Sequence, residues 1–171
     1  MVLEKLFELA APYLERNDFG VEHTRRVFDI ARQNFAIPSK IEEFTLSTII
    51  LHDIGGSTIR EQYQNGPKIA REILHQTGYG EKFIQEVCEI IKTHHEHLEN
   101  PSLSFRILYD SDRLVMFSPE EFPHYDTRQG FNWNAVINSM YAEHAKDLAR
   151  IMLAERKNSL HEKERMLSYD I

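Results

Sequence analysis

Apolar residues recur at intervals of three and four along almost the whole chain of 171 residues, and this spacing constrains the fold more than any other feature. Only 7 glycines interrupt the pattern, and the sequence contains no internal repeat, low-complexity tract or Gly/Ser linker. The first such stripe is typical of an amphipathic helix and comprises Leu3, Leu6, Phe7, Ala10 and Leu14. The sequence therefore predicts an all-α fold, a single-domain helical bundle of about six to eight helices over residues 1–171.

Composition limits the classes of protein that fit. Hydrophobic residues make up 42% of the chain, enough for the core of one domain without disulfides. The only cysteine, Cys88, lies in an apolar stretch and is predicted to be a buried thiol, which fits a reducing, cytoplasmic compartment. No signal peptide and no apolar segment of about 20 residues is present, so no membrane association is expected. A net charge of -7 with scattered acidic residues gives no electrostatic reason to expect nucleic acid as a partner.

Stripes and caps predict where the helices begin and end. A second helix should follow Gly20, and a third should open with a capping box of Ser39 and Glu42 and stop before Gly55. A fourth helix should end near residue 78, and a fifth should run into residues 94–95. A sixth helix should begin after a cap at Ser102. These helices form a core over about residues 20–117. Residues 118–133 are predicted to be a long loop that could cover a pocket, followed by one long helix from 135 to about 157 within a helical extension over 135–171.

Four polar side chains lie on or beside the predicted apolar stripes. Periodicity turns His23, His52 and Asp112 towards the interior, and Asp53 can join them only if the last helical turn distorts near Gly55. A buried carboxylate without a partner is costly. The four side chains therefore either share one divalent metal ion, for which imidazole and carboxylate are common donors, or form separate hydrogen bonds in the core.

The order of these residues and the strings HTRRVFDIA, LHDIGG, IIKTHHEH and DSDRL resemble the HD-domain superfamily of metal-dependent phosphohydrolases over roughly residues 22–117. The resemblance implies a helical bundle in which His23, His52, Asp53 and Asp112 bind one divalent metal ion, with Asp110 as a weaker candidate for the last ligand. It further implies hydrolysis of a phosphate ester of a small molecule, above all a nucleotide, by a metal-activated water that Asp53 orients or deprotonates. The mixed donor set suits Mn, Fe, Co, Ni or Zn.

The resemblance also implies residues that contact the substrate. A histidine at the position of His94 often lies beside the metal, where it could bind phosphate or protonate the leaving oxygen. His95 is predicted to bind substrate with it. Cations close in sequence to the motif could bind the phosphate: Arg60, Lys92, Arg113 and Arg26. The other histidines receive no role and are interpreted as surface or packing residues: His75, His97, His124, His144 and His161.

Three departures from the family pattern narrow the prediction. Gly56 stands where the frequent HD-x-G-K form has a lysine, no histidine precedes Gly66, where relatives with two metals have a ligand, and no Gly-Tyr-Pro follows His94 and His95. These departures favour one metal ion and exclude the cyclic-dinucleotide phosphodiesterase branch. Two other functions stay open, a non-catalytic metal- or nucleotide-binding signalling module and an iron-dependent oxygenase or lyase on the same cage. A homo-oligomer is equally open.

Overall fold

The computed structural model describes residues 2–169, with the backbone alone for 163–164 and 166–169, and this range contains nine α-helices and no strand. In chain order the helices are α1 (Val2–Leu14), α2 (Gly20–Asn34), α3 (Ser39–Leu51), α4 (Ile59–Gln76), α5 (Glu81–Ile91), α6 (Leu103–Val115), α7 (Phe122–Asp126), α8 (Trp133–Ser139) and α9 (Glu143–Tyr169). The all-α prediction is confirmed. The helix number exceeds the predicted six to eight because the chain after residue 117 forms three helices instead of one loop and one helix.

Helix α3 lies at the centre of the bundle. Every residue from Thr45 to Leu51 is buried, and the helix contacts α1, α2, α5 and α6. A helical segment that is buried on every side is held by its neighbours rather than by one apolar stripe. The C-terminal end of α3, where His52 and Asp53 follow, is therefore a fixed point in the interior.

Three groups of buried side chains make up the core. One joins α1, α3, α4 and α5, and a second joins α2, α3 and α6. The third packs the end of α6 against α7, α8 and α9 around the rings of Phe117, Phe122 and Trp133. As predicted, Cys88 is buried, and its thiol donates a hydrogen bond to the carbonyl of Pro67 at 3.2 Å. None of the helices in residues 2–169 combines the length and apolar character needed to cross a bilayer.

One predicted helix cap is wrong and another is confirmed. Ser39 and Glu42 form no capping box, because the extended backbone of Pro38 already occupies the N-cap position and Ser39 is the first helical residue. The capping box instead opens α4, where Thr58 Oγ1 accepts from the backbone N–H of Glu61 at 3.2 Å. Ser102 caps α6 as predicted.

The turn after α3 depends on glycine. A Cβ on Gly55 would lie 2.6 Å from the Cα of Gln62 and from the backbone nitrogen of Gly66, so α4 could not approach this closely. Gly56 has a φ of 144°, which a lysine at this position would adopt only with strain. The glycine pair therefore brings α4 against the end of α3.

The C-terminal region corrects two predictions. Residues 118–133 contain α7 rather than only a loop, and the predicted single helix from residue 135 is split into α8 and α9. Asp110 holds the break, because its buried carboxylate accepts hydrogen bonds from the backbone N–H groups of Tyr141 at 2.8 Å and Ala142 at 2.9 Å. Both carboxylate oxygens of Asp110 thus bind backbone N–H groups instead of facing the cluster around Asp112. This contradicts the prediction of Asp110 as a weaker candidate for the last metal ligand. Residues 170–171 of the predicted extension lie outside the described residues.

Candidate metal centre

The four predicted donors converge at the C-terminal end of α3. His23 on α2 places Nε2 at 3.4 Å from Asp53 Oδ2 and at 3.2 Å from Asp112 Oδ1. His52 Nε2 lies at 3.4 Å and 3.5 Å from the same two oxygens. Donor atoms of His23, His52 and Asp112 all lie within 4.8 Å of one another. Helices α2 and α6 and the turn after α3 therefore direct two imidazoles and two carboxylates at one point.

The two imidazole nitrogens at this point lack hydrogen-bond partners. Nε2 of His23 and Nε2 of His52 are buried and make no aligned hydrogen bond, although carboxylate oxygens lie within 3.5 Å of each. Buried polar atoms are normally satisfied. Two unpartnered nitrogens and two carboxylates that face one another have the chemistry of a divalent-cation site, so this donor set fits a metal ion.

Each imidazole is oriented through its other nitrogen. His52 Nδ1 lies 2.7 Å from the carbonyl oxygen of Ile49, three residues earlier, which fixes a proton on Nδ1. In the neutral ring Nε2 then carries the lone pair that can bind a metal ion. His94 has the same arrangement with the carbonyl of Ile91 at 2.6 Å. His23 differs, because its Nδ1 contacts the carboxylate of Glu121, at 3.0 Å and 3.2 Å from the two oxygens.

The electrostatics of the cluster couple its members. Burial alone would lower the pKa of His52, but the carboxylates of Asp53 and Asp112 raise that pKa well above its usual value. Burial likewise opposes the charge of His23, whose contacts with Asp112 and Glu121 nevertheless raise its pKa to about 10. The pKa of Asp53 and that of Asp112 lie well below their ordinary value because the imidazoles outweigh burial. The imidazoles and the carboxylates of the cluster therefore favour each other's charged form.

His94 and His95 occupy different places beside the cluster. His94 is 1% exposed and lies behind Asp53, with its Nε2 at 3.2 Å from Asp53 Oδ1. His95 lines a cavity and bonds through Nε2 to Oε1 of Gln62 at 2.6 Å. Burial and the neighbouring His94 lower the pKa of His95 to about 4, so it is neutral near pH 7 and offers Nδ1 as an acceptor. Donor atoms of Asp53, His94 and His95 also lie within 4.8 Å of one another, which forms a second group of potential metal donors.

A cavity of about 570 Å³ opens over the cluster, and His23, Asp53 and Asp112 form part of its wall. The rest of the wall comes from the turn before α2, the start of α4, α6 and the segment from α7 to α8. Its aromatic members are Phe19, Tyr109, Tyr125 and Phe131. As predicted, the segment 118–133 contributes to a pocket, although through a helix as well as loops.

The predicted phosphate-binding cations separate into two groups. Arg113 lines the cavity, with Nε donating to Ser139 Oγ at 3.2 Å and Nη1 donating to the carbonyl of Tyr109 at 3.3 Å. Arg60 and Lys92 are exposed, and neither lines the cavity that the described residues form. The geometry therefore gives no support to a substrate contact by either of them.

Several residues of the site were not identified from the sequence. Glu121 is fully buried and contacts both His23 and Arg26, so Arg26 is engaged by this carboxylate. His124 and Arg128 line the cavity, although His124 was interpreted as a surface or packing residue. Glu121 lies four residues after buried Phe117, a spacing that would place both on one face of a helix. Because the sequence predicts a loop here, this spacing does not predict burial of Glu121.

Comparisons with known proteins agree with the geometry. A family model described as the HD domain matches residues 20–116, which contain all four donors. A crystal structure of a predicted HD superfamily hydrolase from an uncultured Thermotogales bacterium superposes with a TM-score of 0.61 at 18% identity, covering 97% of this chain and 91% of that chain. No curated protein matches the chain. Because the family model spans more than half of its 171 residues, the chain belongs to the HD-domain family.

Proposed function

We infer that this protein is a metal-dependent phosphohydrolase that cleaves a phosphate ester of a small molecule, with a nucleotide as the leading substrate class. The observation that carries the proposal is the pair of buried, unpartnered Nε2 atoms of His23 and His52, which face the carboxylates of Asp53 and Asp112 in the wall of a cavity. The proposed ligands of one divalent ion are these four residues. The ion would be Mn, Fe, Co, Ni or Zn.

When bound, such an ion supplies a Lewis acid for a phosphoryl oxygen and acidifies a bound water. The protein's own residues supply orientation. Asp53 lines the cavity, so its carboxylate can align a water for attack, and His94 lies behind that carboxylate with its Nε2 at 3.2 Å from Oδ1. Because His94 is 1% exposed and does not line the cavity, we assign it to contact with Asp53 and not to the predicted contact with the substrate. His95, as a neutral acceptor, contributes polar contact with the substrate but no positive charge.

The cavity wall supports a substrate with an anionic and a planar part. The Nη2 group of Arg113 has no protein acceptor among the described residues, because the hydrogen bonds of this guanidinium use Nε and Nη1. It is free to donate to a phosphate oxygen. The rings of Phe19, Tyr125 and Phe131 line the same cavity, and an aromatic wall suits a purine or pyrimidine base.

A phosphate-release screen with elemental analysis tests the proposal. The purified protein, supplied in turn with Mn²⁺, Co²⁺, Ni²⁺ and Zn²⁺ and with anaerobic Fe²⁺, is incubated with mono-, di-, tri- and cyclic nucleotides and with sugar phosphates. We expect one bound ion per chain, release of phosphate from at least one nucleotide, and loss of both in His52→Ala. His75→Ala is the matched control, because His75 is an exposed histidine on α4 and does not line the cavity.

Each contrary result selects a different function. Metal binding without turnover on any of these substrates would overturn the hydrolase and favour a metal- or nucleotide-binding module. Two irons per chain with consumption of oxygen would favour an oxygenase instead. Two ions per chain with phosphate release would retain the reaction, overturn the prediction of a single metal, and direct attention to the second group formed by Asp53, His94 and His95.

A further inference from the structure

We propose that Glu121 is a positioning residue for the metal centre, which it serves by holding the His23 imidazole with its proton on Nδ1 and its lone pair on Nε2. This proposal rests on the metal site of the proposed function. It assigns a task to a residue outside the matched HD domain, which ends at residue 116.

The carboxylate of Glu121 is held by contacts with two side chains of α2, Arg26 and His23. Its carboxylate is fully buried, and Oε1 accepts from Arg26 Nη2 at 2.7 Å and from Arg26 Nε at 3.1 Å. The same oxygen lies 3.0 Å from His23 Nδ1. A buried carboxylate is stable only when it is paired and hydrogen-bonded, and here one cation and one imidazole satisfy it together.

The direction of the contact decides what it does. A carboxylate only accepts hydrogen bonds, so Nδ1 must carry the proton, and in the neutral imidazole Nε2 is then the atom with the lone pair. That atom is the one that faces Asp53 and Asp112 at 3.4 Å and 3.2 Å. Metal-binding histidines are commonly oriented by a carboxylate or a carbonyl on the other ring nitrogen.

Packing of the C-terminal region keeps Glu121 in place. Its backbone N–H donates to Ser118 Oγ at 3.3 Å, and the next residue, Phe122, is buried with its ring stacked on Trp133 at a centroid distance of 4.6 Å. Arg26 lies one helical turn after His23 on α2, so it holds Glu121 from the same helix that carries the imidazole. Glu121, which directly precedes α7, thus connects the C-terminal region to His23.

The affinity for Zn²⁺ alone, measured by competition with a chromophoric chelator, tests this proposal without any substrate. We expect Glu121→Met to weaken Zn²⁺ binding by about 10- to 100-fold, the range found for residues that orient a ligand. Glu121→Gln retains an acceptor for Nδ1 and should lose less. In ¹⁵N spectra of the Zn²⁺-loaded wild type, His23 should show a protonated Nδ1 and a metal-bound Nε2, and Glu121→Met should lose this single form.

Asp110→Asn is the matched control, because Asp110 is an equally buried carboxylate whose hydrogen bonds, among the described residues, come from the backbone N–H groups of Tyr141 and Ala142. It should lower the melting temperature of the metal-free protein and leave the Zn²⁺ affinity unchanged. If Glu121→Met does not fold, Arg26→Met with Glu121→Met removes the ion pair as a unit and should show the same loss of affinity.

The outcomes separate the two proposals. Wild-type affinity in the folded Glu121 variants would overturn the role of Glu121 and leave the hydrolase standing. Weaker binding in those variants, in a protein that releases no phosphate, would support Glu121 and overturn the hydrolase. Equal losses in Asp110→Asn and Glu121→Met would reduce Glu121 to a structural role, and a wild type that binds no divalent ion would overturn both proposals.

Discussion

The two halves of the candidate metal centre are held in different ways. In one half, here termed the local half, His52 and His94 are each oriented by a backbone carbonyl three residues earlier in the chain. In the other, the remote half, His23 is oriented by Glu121, which lies 98 residues later and is paired with Arg26. The local half depends on the ends of two helices, whereas the remote half depends on the packing of the C-terminal region.

The two halves differ in whether a local or a long-range contact orients the histidine. A carbonyl at a helix C-terminus is left without an intrahelical partner, so a histidine at the end of the same helix can bond to it without any long-range contact. A carboxylate from a distant segment requires that segment to be folded and in register. The local half is therefore set by local geometry, and the remote half is open to change through residues that never touch the ion.

The largest expected effect is the loss of a donor from either half. His52→Asn and His23→Asn should each weaken metal binding by more than about 100-fold, because removal of a ligand costs more than disturbance of a residue that orients one. Metal content after dialysis and phosphate release measure the loss. A much smaller loss for His23→Asn than for His52→Asn would break the comparison, since it would place His23 outside the ligand set.

The second prediction concerns stability in the local half. Ile49 is fully buried, and Ile49→Ala should lower the free energy of unfolding by about 2–5 kcal/mol through the cavity that it leaves. The carbonyl at position 49 is unchanged by this substitution, so the Zn²⁺ affinity of the folded protein should stay at the wild-type value. Urea unfolding gives the first quantity and chelator competition the second. A loss of affinity as large as that of Glu121→Met would show that the local half is no more robust than the remote half.

The third prediction compares two arginines, Arg113 in the cavity wall and Arg60 on the surface. Arg113 is held by Ser139 of the C-terminal region, whereas Arg60 is exposed at the start of α4. Loss of a charge-assisted hydrogen bond to phosphate costs about 1.5–3 kcal/mol, so Arg113→Ala should raise KM about 10- to 100-fold. Arg60→Ala should leave KM unchanged. A rise in KM for Arg60→Ala instead would restore the contact expected from the sequence.

The last prediction is a dependence of stability on pH in the metal-free protein. The pKa of His23 is raised to about 10 in the folded state, above the usual value of a free imidazole. Protonated His23 therefore stabilises the fold fully below about pH 6.5, and this contribution is lost as the pH rises through about 10. His23→Gln lacks the titrating group, so the difference in melting temperature between wild type and variant, with chelator present, should change from pH 6 to pH 10.5 in the direction that disfavours wild type. A constant difference would contradict the coupling of His23 to its carboxylates.

Much of the bundle could be predicted from the sequence because its helices are specified by nearby residues. The predicted stripes and the cap at Ser102 correspond to observed helices, and His52 and Asp53 lie at the predicted helix end. The capping box at Ser39 failed because Pro38 already supplies the N-cap backbone. Local rules therefore located the helices and were less reliable for the residue that starts one.

The parts that could not be predicted depend on contacts between residues far apart in the chain. Asp110 breaks the C-terminal helix through hydrogen bonds to Tyr141 and Ala142, 31 and 32 residues away. Periodicity in residues 135–157 gives no sign of this break. Glu121 lies in a segment without a helical stripe, so no pattern distinguished its buried carboxylate from the exposed Glu120 beside it.

The sequence by itself determined the helical class, the inward direction of His23, His52 and Asp112, and the resemblance to the HD-domain family, because each depends on spacing or order along the chain. Only the tertiary structure decided which carboxylate orients His23, which of the predicted cations reaches the cavity, and that Asp110 serves the fold instead of the site. Buried charges pair with groups that are close in space and not with groups that are close in sequence. The packing of the C-terminal region against α2 and α6 sets these distances.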